Sequence, residues 1–241
     1  MIHYNYNARQ LETEAVKLLT QFDPERLKKP KPIDVYAVIE KCLGVEYDWK
    51  YITPDQSILG ATAFNAGHFW VWPEPCYREG MIPEKVYLSK GCILIDTTLT
   101  EGENRGRENF TVMHEVFHQV LHKNCFRRER PDYIHGTTQT ALNGKKTMKT
   151  SLDFIEYQAN ACAAAFLMPQ NVVRDEFKKR SSNLGGGYPL PCDYMVESII
   201  CGMAAEFSVS KQAMRYRLNA LNMITLESPL IQLKISISGN L

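Results

Sequence analysis

The stretch Phe110-Thr111-Val112-Met113-His114-Glu115-Val116-Phe117-His118 decides how this chain is interpreted. Apolar residues at positions 110, 113, 117, 120 and 121 follow a helical spacing, so we expect a helix here. His114 and His118 are four residues apart, and their imidazoles would be ~6 Å apart along one helix face, close enough to hold one ion. Glu115 is rotated ~100° from His114, where it could take a proton from a water on that ion without binding the ion itself. An ordinary amphipathic helix can carry the same letters, so the pattern needs a third ligand.

Two downstream residues bear on that third ligand. His122 lies ~12 Å along the helix from His114, too far to share an ion through bonds of ~2.1 Å, so we expect it at the surface or behind a ligand. The longer pattern with a third histidine is absent, because position 121 is Leu and position 124 is Asn. Glu156 belongs to a second helical segment, about Asp153–Leu167, whose alanines would let two helices approach closely. It could complete a His2Glu site, or it could be a solvated carboxylate near a helix N-terminus.

Asn160 follows Glu156 by one helical turn, on the same face. Its amide could accept a hydrogen bond from the free ring nitrogen of His114 or His118 and so orient that ring. A mid-helix Asn that bonds to the backbone or to water is the equally ordinary alternative.

These segments together resemble the ImmA/IrrE family of zinc metallopeptidases. The resemblance rests on residues 110–118, on Glu156-Tyr157-Gln158-Ala159-Asn160 and on the ending Phe166-Leu167-Met168-Pro169. It extends over about residues 32–220. The chain departs from the family in having Phe117 where members usually have Gly, and Cys162 where they often have Phe.

The resemblance implies an α+β fold: a zincin-like core with a small twisted β-sheet packed on helices. It also implies Zn²⁺ as cofactor, Glu156 as the third ligand, and a protein substrate of a regulatory kind, such as a repressor or other transcriptional regulator carried by a mobile element. Peptidases of this kind often place a donor for the oxyanion across the cleft from the metal. The candidates, each also explicable as a structural residue, are His135, Tyr157, Tyr133, Tyr188 and Tyr194.

The pattern outside the motif predicts flanking helices and a group of short strands. Helical spacing covers residues 8–22, a segment opened by Pro32 and stopped by Gly44, and residues 193–207 and 211–221. The predicted strands are Val45–Trp49, Leu59–Phe64, His68–Trp72, Val86–Leu88 and Cys92–Ile95, with a further edge strand at Ile231–Ile237. Residues 123–150 lose all periodicity and are rich in basic residues, so we expect an exposed insertion.

We divide the chain into a zincin-like domain, residues 1–180, and a C-terminal helical region, residues 181–241. The second region contains a helix-turn-helix-like pair over residues 204–218, with Val209 in the turn and Ser210 as the cap of the second helix. Its polar face would consist of Lys211, Gln212, Arg215 and Arg217. That face could contact DNA, but a packed helix pair with solvated basic side chains is the simpler interpretation.

Composition narrows the class of protein. The 241 residues carry a formal net charge of +1, which argues against a protein that coats nucleic acid. Seven cysteines without a C-x-x-C spacing predict free thiols in a reducing compartment. There is no leader pattern and no apolar run near the ~20 residues that span a bilayer, so we expect a cytoplasmic protein without a membrane partner.

Two functions from different classes follow. The first is a zinc-dependent endopeptidase, in which zinc activates a water, Glu115 is the general base, and an exposed strand from residues 59–96 pairs with an extended substrate. The second is a DNA- or protein-binding regulator that uses the C-terminal pair, with the H-E-x-x-H helix structural or inactive. The intact Glu115 favours the first, because a scaffold has no need for a carboxylate beside two paired imidazoles.

Overall fold

A computed structural model describes residues 6–101, 105–125, 134–138, 150–185 and 187–226, and it confirms the α+β class. Two helices, those that end at Val38 and at Phe117, are each extended by a turn of π-helix, Ile39–Leu43 and His118–His122 respectively. The α-helices are α1 (Ala8–Phe22), α2 (Val35–Val38), α3 (Arg105–Phe117), α4 (Ser151–Leu167), α5 (Gln170–Arg180), α6 (Tyr194–Phe207) and α7 (Lys211–Ala220).

The strands form one main sheet and two small ones. They are β1 (Tyr47–Lys50), β2 (Ile58–Ala63), β3 (Gly67–Val71), β4 (Glu84–Leu88), β5 (Ile93–Asp96), β6 (Ile134–Thr138), β7 (Leu190–Pro191) and β8 (Ile224–Thr225). The main sheet has the order β1-β5-β2-β6, with β1 parallel to β5 and the other pairs antiparallel. β3 and β4 form a separate hairpin, and β7 and β8 a short parallel pair. The five strands predicted for the middle of the chain are confirmed, each to within two residues.

The expected exposed insertion over residues 123–150 is wrong in part. Residues 134–138 form β6, which pairs antiparallel with β2, with Thr62 opposite His135. The sequence of β6, Ile-His-Gly-Thr-Thr, contains a single large apolar residue and so shows no strand pattern, and its hydrogen-bond partners lie far away in the chain. Cys125 is also buried. The tail strand predicted at 231–237 lies outside the described residues.

The start of the second helix is a smaller correction. Pro32 does not open it; Asp34 does, because its carboxylate accepts hydrogen bonds from the backbone N–H groups of Tyr36 and Ala37, both at 3.1 Å. Its predicted stop is confirmed: Gly44 adopts the left-handed conformation, with φ of 62°. A side-chain cap thus determines this boundary, as is usual for helix N-termini.

The metal-motif helix α3 lies between the main sheet and α4. Residues 109–117 are all buried, so α3 is a core helix rather than a surface one. Ile93 and Ile95 of β5 pack in the large cluster that contains the helices, whereas Leu94 packs towards the β3–β4 hairpin. The alternation of the strand thus covers both faces of the sheet.

One hydrophobic cluster contains residues from both predicted domains, for example Val173 of α5 and Met214 of α7. The boundary near residue 180 stays a prediction. In the part of the chain that the structure describes, no helix is both long and apolar enough to cross a membrane.

Candidate metal centre

Three side chains from two neighbouring helices converge at the buried side of α3. His114 and His118 come from α3 and the π turn that follows it, and Glu156 comes from α4. The Nε2 atoms of the two imidazoles are 2.8 Å apart. Glu156 Oε2 is 3.2 Å from His114 Nε2, and its Oε1 is 3.5 Å from His118 Nε2. One donor atom from each residue lies within 4.8 Å of the others, so this group could hold a metal ion.

The donor set and its spacing fit a small divalent cation. Two imidazole nitrogens and a carboxylate oxygen are ligands that zinc takes in catalytic sites, where a fourth position stays open. Donors at ~2.1 Å from a tetrahedral ion are ~3.4 Å from each other, near the three distances given above. Both histidines are buried, and Glu156 is one-fifth exposed, so the site borders solvent on the Glu156 side.

Close helix packing explains why Glu156 reaches the histidines. Ala159 and Ala163 of α4 are fully buried, and small side chains let helices approach each other closely. Thr150 caps α4 in a reciprocal capping box with Asp153, which fixes where the helix begins. Phe117 and Phe166 pack edge to face with ring centroids 6.0 Å apart. The large side chain at position 117 is therefore accommodated between α3 and α4.

The environment of His114 combines burial with a nearby carboxylate. Burial of the ring works against protonation, but hydrogen bonding to Glu156 and the charge of that carboxylate outweigh it, so the pKa of His114 is raised. Asn160 Oδ1 is 2.9 Å from His114 Nδ1. The amide oxygen can accept a hydrogen bond only, so Nδ1 carries the hydrogen and Nε2 is the atom directed at Glu156. Asn160 thus lies behind His114, one of the two histidines considered for it, and its role in orienting the ring stays a prediction.

A second polar contact lies behind His118. It consists of His122, which we predicted at the surface or behind a ligand, and Gln158, which we did not predict. His122 is 1% exposed, which rules out the surface position that we considered for it. Its Nδ1 is 3.1 Å from His118 Nδ1, and its Nε2 is 3.0 Å from Gln158 Oε1. Gln158 was not a predicted site residue. No sequence signal identifies it, because residues two apart on a helix point ~200° away from each other, so Gln158 does not share the face of Glu156 and Asn160.

Glu115 lies fully buried against β2. Thr62 Oγ1 donates a hydrogen bond of 2.6 Å to Glu115 Oε2. A Cβ at Gly60 would stand 2.6 Å from Glu115 Oε1, so only glycine leaves room for the carboxylate. Sequence reasoning missed the contributions of Thr62 and Gly60, because they come from a strand about fifty residues upstream. Glu115 is thus oriented by the sheet, while the two histidines face α4.

The residues predicted as oxyanion donors lie at several different places in the fold. Tyr157 is two-fifths exposed and lines a groove between α1, α4 and α7 together with Asn160. His135 lies on β6, next to β2. Of the remaining candidates, Tyr188 bonds to Ser181 at 2.9 Å, Tyr194 is largely exposed, and Tyr133 lies outside the described residues. These roles stay predictions.

The basic side chains of the helix-turn-helix-like pair are engaged within the protein. Ser210 caps α7 by accepting a hydrogen bond from the N–H of Ala213, as predicted. Arg215 and Lys211 both pair with Glu197, at 2.6 and 3.5 Å.

The other arginine of that face and the turn itself also contact the rest of the chain. Arg217 is buried and makes a bidentate contact with Glu12 of α1, at 2.7 and 2.8 Å. The turn between α6 and α7 packs on α3, where Asn109 Nδ2 donates to Ser208 O at 2.8 Å.

Comparison with protein families gives a match. The family model of the IrrE N-terminal-like domain, Peptidase_M78, matches residues 78–219, which is more than half of the chain. The matched range contains the two histidines, Glu115 and Glu156. A search of curated proteins finds no match.

Proposed function

The chain belongs to the Peptidase_M78 family of IrrE N-terminal-like domains, and on that premise we propose that it is a zinc-dependent endopeptidase. The family implies a metallopeptidase-type function. Zinc dependence is supported by one observation above all: two imidazole nitrogens and a carboxylate oxygen converge within 4.8 Å. A His2Glu set is a ligand set of catalytic zinc sites.

Each residue of the site has a distinct task in this proposal. His114, His118 and Glu156 would hold the zinc, which when bound lowers the pKa of a water and polarises the peptide carbonyl. Glu115 accepts the proton from the attacking water and delivers it to the leaving amine. The hydrogen bond from Thr62 keeps the Glu115 carboxylate in one orientation, so that Glu115 is already positioned for proton transfer.

The substrate would be a protein, bound in an extended form. The pairing of such a substrate with an exposed strand from residues 59–96 stays a prediction: β2 and β5 each have a neighbour on both sides, whereas β3 and β4 of the hairpin each have one described neighbour. Among the described strands, β6 is the outer one on the β2 side of the main sheet. We place the added substrate strand along the outer side of β6, where no described strand pairs with it, so that its backbone groups could bind a peptide by β-augmentation. A transcriptional regulator as substrate stays a prediction from the family resemblance.

The alternative, a DNA-binding regulator, has less support from the same contacts. A DNA-reading helix needs basic side chains that are available to phosphates. Here the two guanidinium groups and one ammonium group of α7 already have carboxylate partners within the protein. The helix pair is thus better explained as a support for α3.

The Glu115→Gln variant tests the proposal, since glutamine keeps the shape and can still accept the Thr62 hydrogen bond. We expect it to bind about one zinc per chain, as the wild type does, and to cleave its target at least ~10²-fold more slowly. Because cleavage is blocked, the variant should retain a bound substrate that mass spectrometry can identify after purification from the native host.

Two further preparations make the result decisive. The His118→Ala variant should lose zinc, and the wild type should generate new N-termini in the protein that Glu115→Gln retains. Wild-type cleavage rates in Glu115→Gln would contradict the general-base role. A wild-type chain that takes up no zinc would contradict the zinc assignment.

A further inference from the structure

Three buried polar side chains run in a line from the metal centre into the core. His118 Nδ1 is 3.1 Å from His122 Nδ1, and His122 Nε2 is 3.0 Å from Gln158 Oε1. None of the three is more than 2% exposed, so water cannot replace a partner. The chemistry proposed above uses neither His122 nor Gln158, yet burying these polar groups is costly unless they are paired.

The contacts determine where the hydrogens lie on two neutral rings. Gln158 Oε1 can only accept a hydrogen bond, so His122 Nε2 must carry the hydrogen. A neutral imidazole has a single N–H, and His122 Nδ1 is therefore the acceptor. The donor in the contact between the two rings is then His118 Nδ1, which leaves the lone pair of His118 on Nε2.

That outcome is the one the metal centre requires. His118 Nε2 is the atom that lies 2.8 Å from His114 Nε2 and 3.5 Å from Glu156 Oε1. A histidine ligand usually donates its second ring N–H to a fixed acceptor, which sets the tautomer and the orientation of the ring. For His114 the acceptor is Asn160. For His118 the acceptor is His122, which is itself held in place by Gln158.

We propose that His122 and Gln158 are positioning residues of the metal centre: Gln158 holds His122 in the Nε2–H tautomer, and His122 directs Nε2 of His118 at the ion. This inference rests on the proposed function only in requiring a metal at His114, His118 and Glu156. It also gives α4 a larger role. Glu156, Gln158 and Asn160 of that one helix respectively bind the ion, anchor His122 and orient His114.

Substitution of Gln158 gives a direct test, read out as the zinc dissociation constant from competition with a chelator at one fixed pH. Gln158→Leu keeps the volume but removes the acceptor, and we expect zinc to bind ~10–100-fold more weakly. Gln158→Glu keeps an acceptor at the same place and should bind zinc about as well as the wild type. Equal zinc affinity in Gln158→Leu and the wild type, or equal losses in both variants, would overturn the proposal.

Gln119→Leu is the matched control for the loss of a buried glutamine. Gln119 belongs to the π turn that contains His118 and His122, and it is buried like Gln158. Its Nε2 donates to the backbone oxygen of Gly91 at 3.3 Å, so the side chain is bonded to the backbone rather than to a histidine. We expect it to lower thermal stability and leave zinc affinity unchanged. A loss of affinity as large as that of Gln158→Leu would show that packing alone is responsible, and would overturn the positioning role.

Tautomers in the metal-free chain give a second measurement that does not depend on zinc binding. In ¹⁵N-labelled wild type, NMR should show hydrogen on Nδ1 of His118 and on Nε2 of His122, and Gln158→Leu should mix the tautomers of both rings. A wild type that binds no zinc but shows these tautomers would refute the proposed function and support the arrangement in which Gln158 holds His122 and His122 holds His118. The opposite tautomers in the wild type would refute that arrangement alone.

If Gln158→Leu does not fold, a pair of substitutions at His122 takes its place. The amide oxygen of Asn in His122→Asn can occupy the position of Nδ1 and accept from His118, whereas His122→Leu offers no acceptor. We expect His122→Asn to bind zinc ~10-fold or more tightly than His122→Leu. Equal affinities would overturn the proposal.

Discussion

The metal centre and the C-terminal helix pair both carry charged or titratable residues at helical spacing, but these side chains converge in the first region and diverge in the second. At the metal centre, His114, His118 and Glu156 turn towards one point with little exposure to water. In the C-terminal pair, Arg215 and Arg217 turn away from each other, towards Glu197 and Glu12 respectively. Convergence of potential ligand atoms thus distinguishes the candidate metal centre from the C-terminal pair, and a charge pattern alone does not.

The difference has a physical origin in what each group needs. Buried imidazoles that face a carboxylate, with their other nitrogens already bonded behind them, present electron pairs to a common point, and a cation satisfies all of them. A guanidinium beside a carboxylate is already satisfied by a charge-assisted hydrogen bond. The contact from Asn109 to Ser208 then joins the two regions, because it ties α3 to the α6–α7 turn.

The largest expected effect separates the two regions by removing one carboxylate from each. We expect Glu156→Ala to weaken zinc binding by more than ~100-fold, beyond the range for residues behind a ligand, because it removes a ligand itself. Glu197→Ala should leave zinc binding unchanged. Isothermal titration of the metal-free proteins with zinc measures both, and similar affinities in the two variants would remove the distinction.

The second effect concerns the buried pair that connects α7 to α1. Arg217 is 9% exposed, and its guanidinium also donates to Met168 O at the end of α4. Glu12→Gln leaves that buried charge without its carboxylate and should lower the free energy of unfolding by ~3 kcal/mol. Urea denaturation measures the loss. Zinc affinity per folded chain should not change; a change would mean that this pair contributes to the metal centre.

Much of the metal centre could be predicted because its geometry is local. His114, Glu115 and His118 lie within one helical turn, and helix geometry alone determines how they are placed. Glu156 required the family resemblance in addition, since its position depends on how α4 packs on α3. Thr62 and Gln158 could not be predicted in the same way, because their contacts depend on the register of a strand and on the rotation of a second helix.

The same distinction holds for the fold. Strands such as β2 and β5 were predictable, since their buried apolar residues are dense. β6 was not, because Ile134–Thr138 is a strand only through its pairing with β2. Asp34 shows that a cap residue can move a helix start away from a proline that would otherwise mark it.

A third prediction tests whether the sheet serves the metal centre through Thr62. Thr62→Val keeps the shape but removes the hydroxyl, so the buried Glu115 loses a hydrogen bond worth ~1.5–3 kcal/mol for a charged acceptor. We expect unfolding free energy to fall by about that amount, and cleavage to slow while zinc affinity is retained. Thr62→Ser, which keeps the hydroxyl, is the control. Full cleavage activity in Thr62→Val would show that the orientation of Glu115 does not depend on the sheet.

The smallest expected effect lies in the C-terminal pair and depends on pH. Hydrogen bonds from Arg215 and Cys192 lower the pKa of Glu197 from 4.5 to about 2. A lowered pKa in the folded state means that the ionised form stabilises the fold: the contribution is present above pH 4.5 and is lost as pH falls from there towards 2. Because the pair is partly exposed, we expect Glu197→Gln to cost only ~0.2–1 kcal/mol at pH 7. Urea denaturation of both proteins at several pH values from 7 down to about 2 should show the difference shrinking below pH 4.5. A difference that stays constant with pH would mean that Glu197 supports α7 by packing. A cost of several kcal/mol would mean that the Glu197–Arg215 pair contributes as much to stability as the buried Arg217–Glu12 pair.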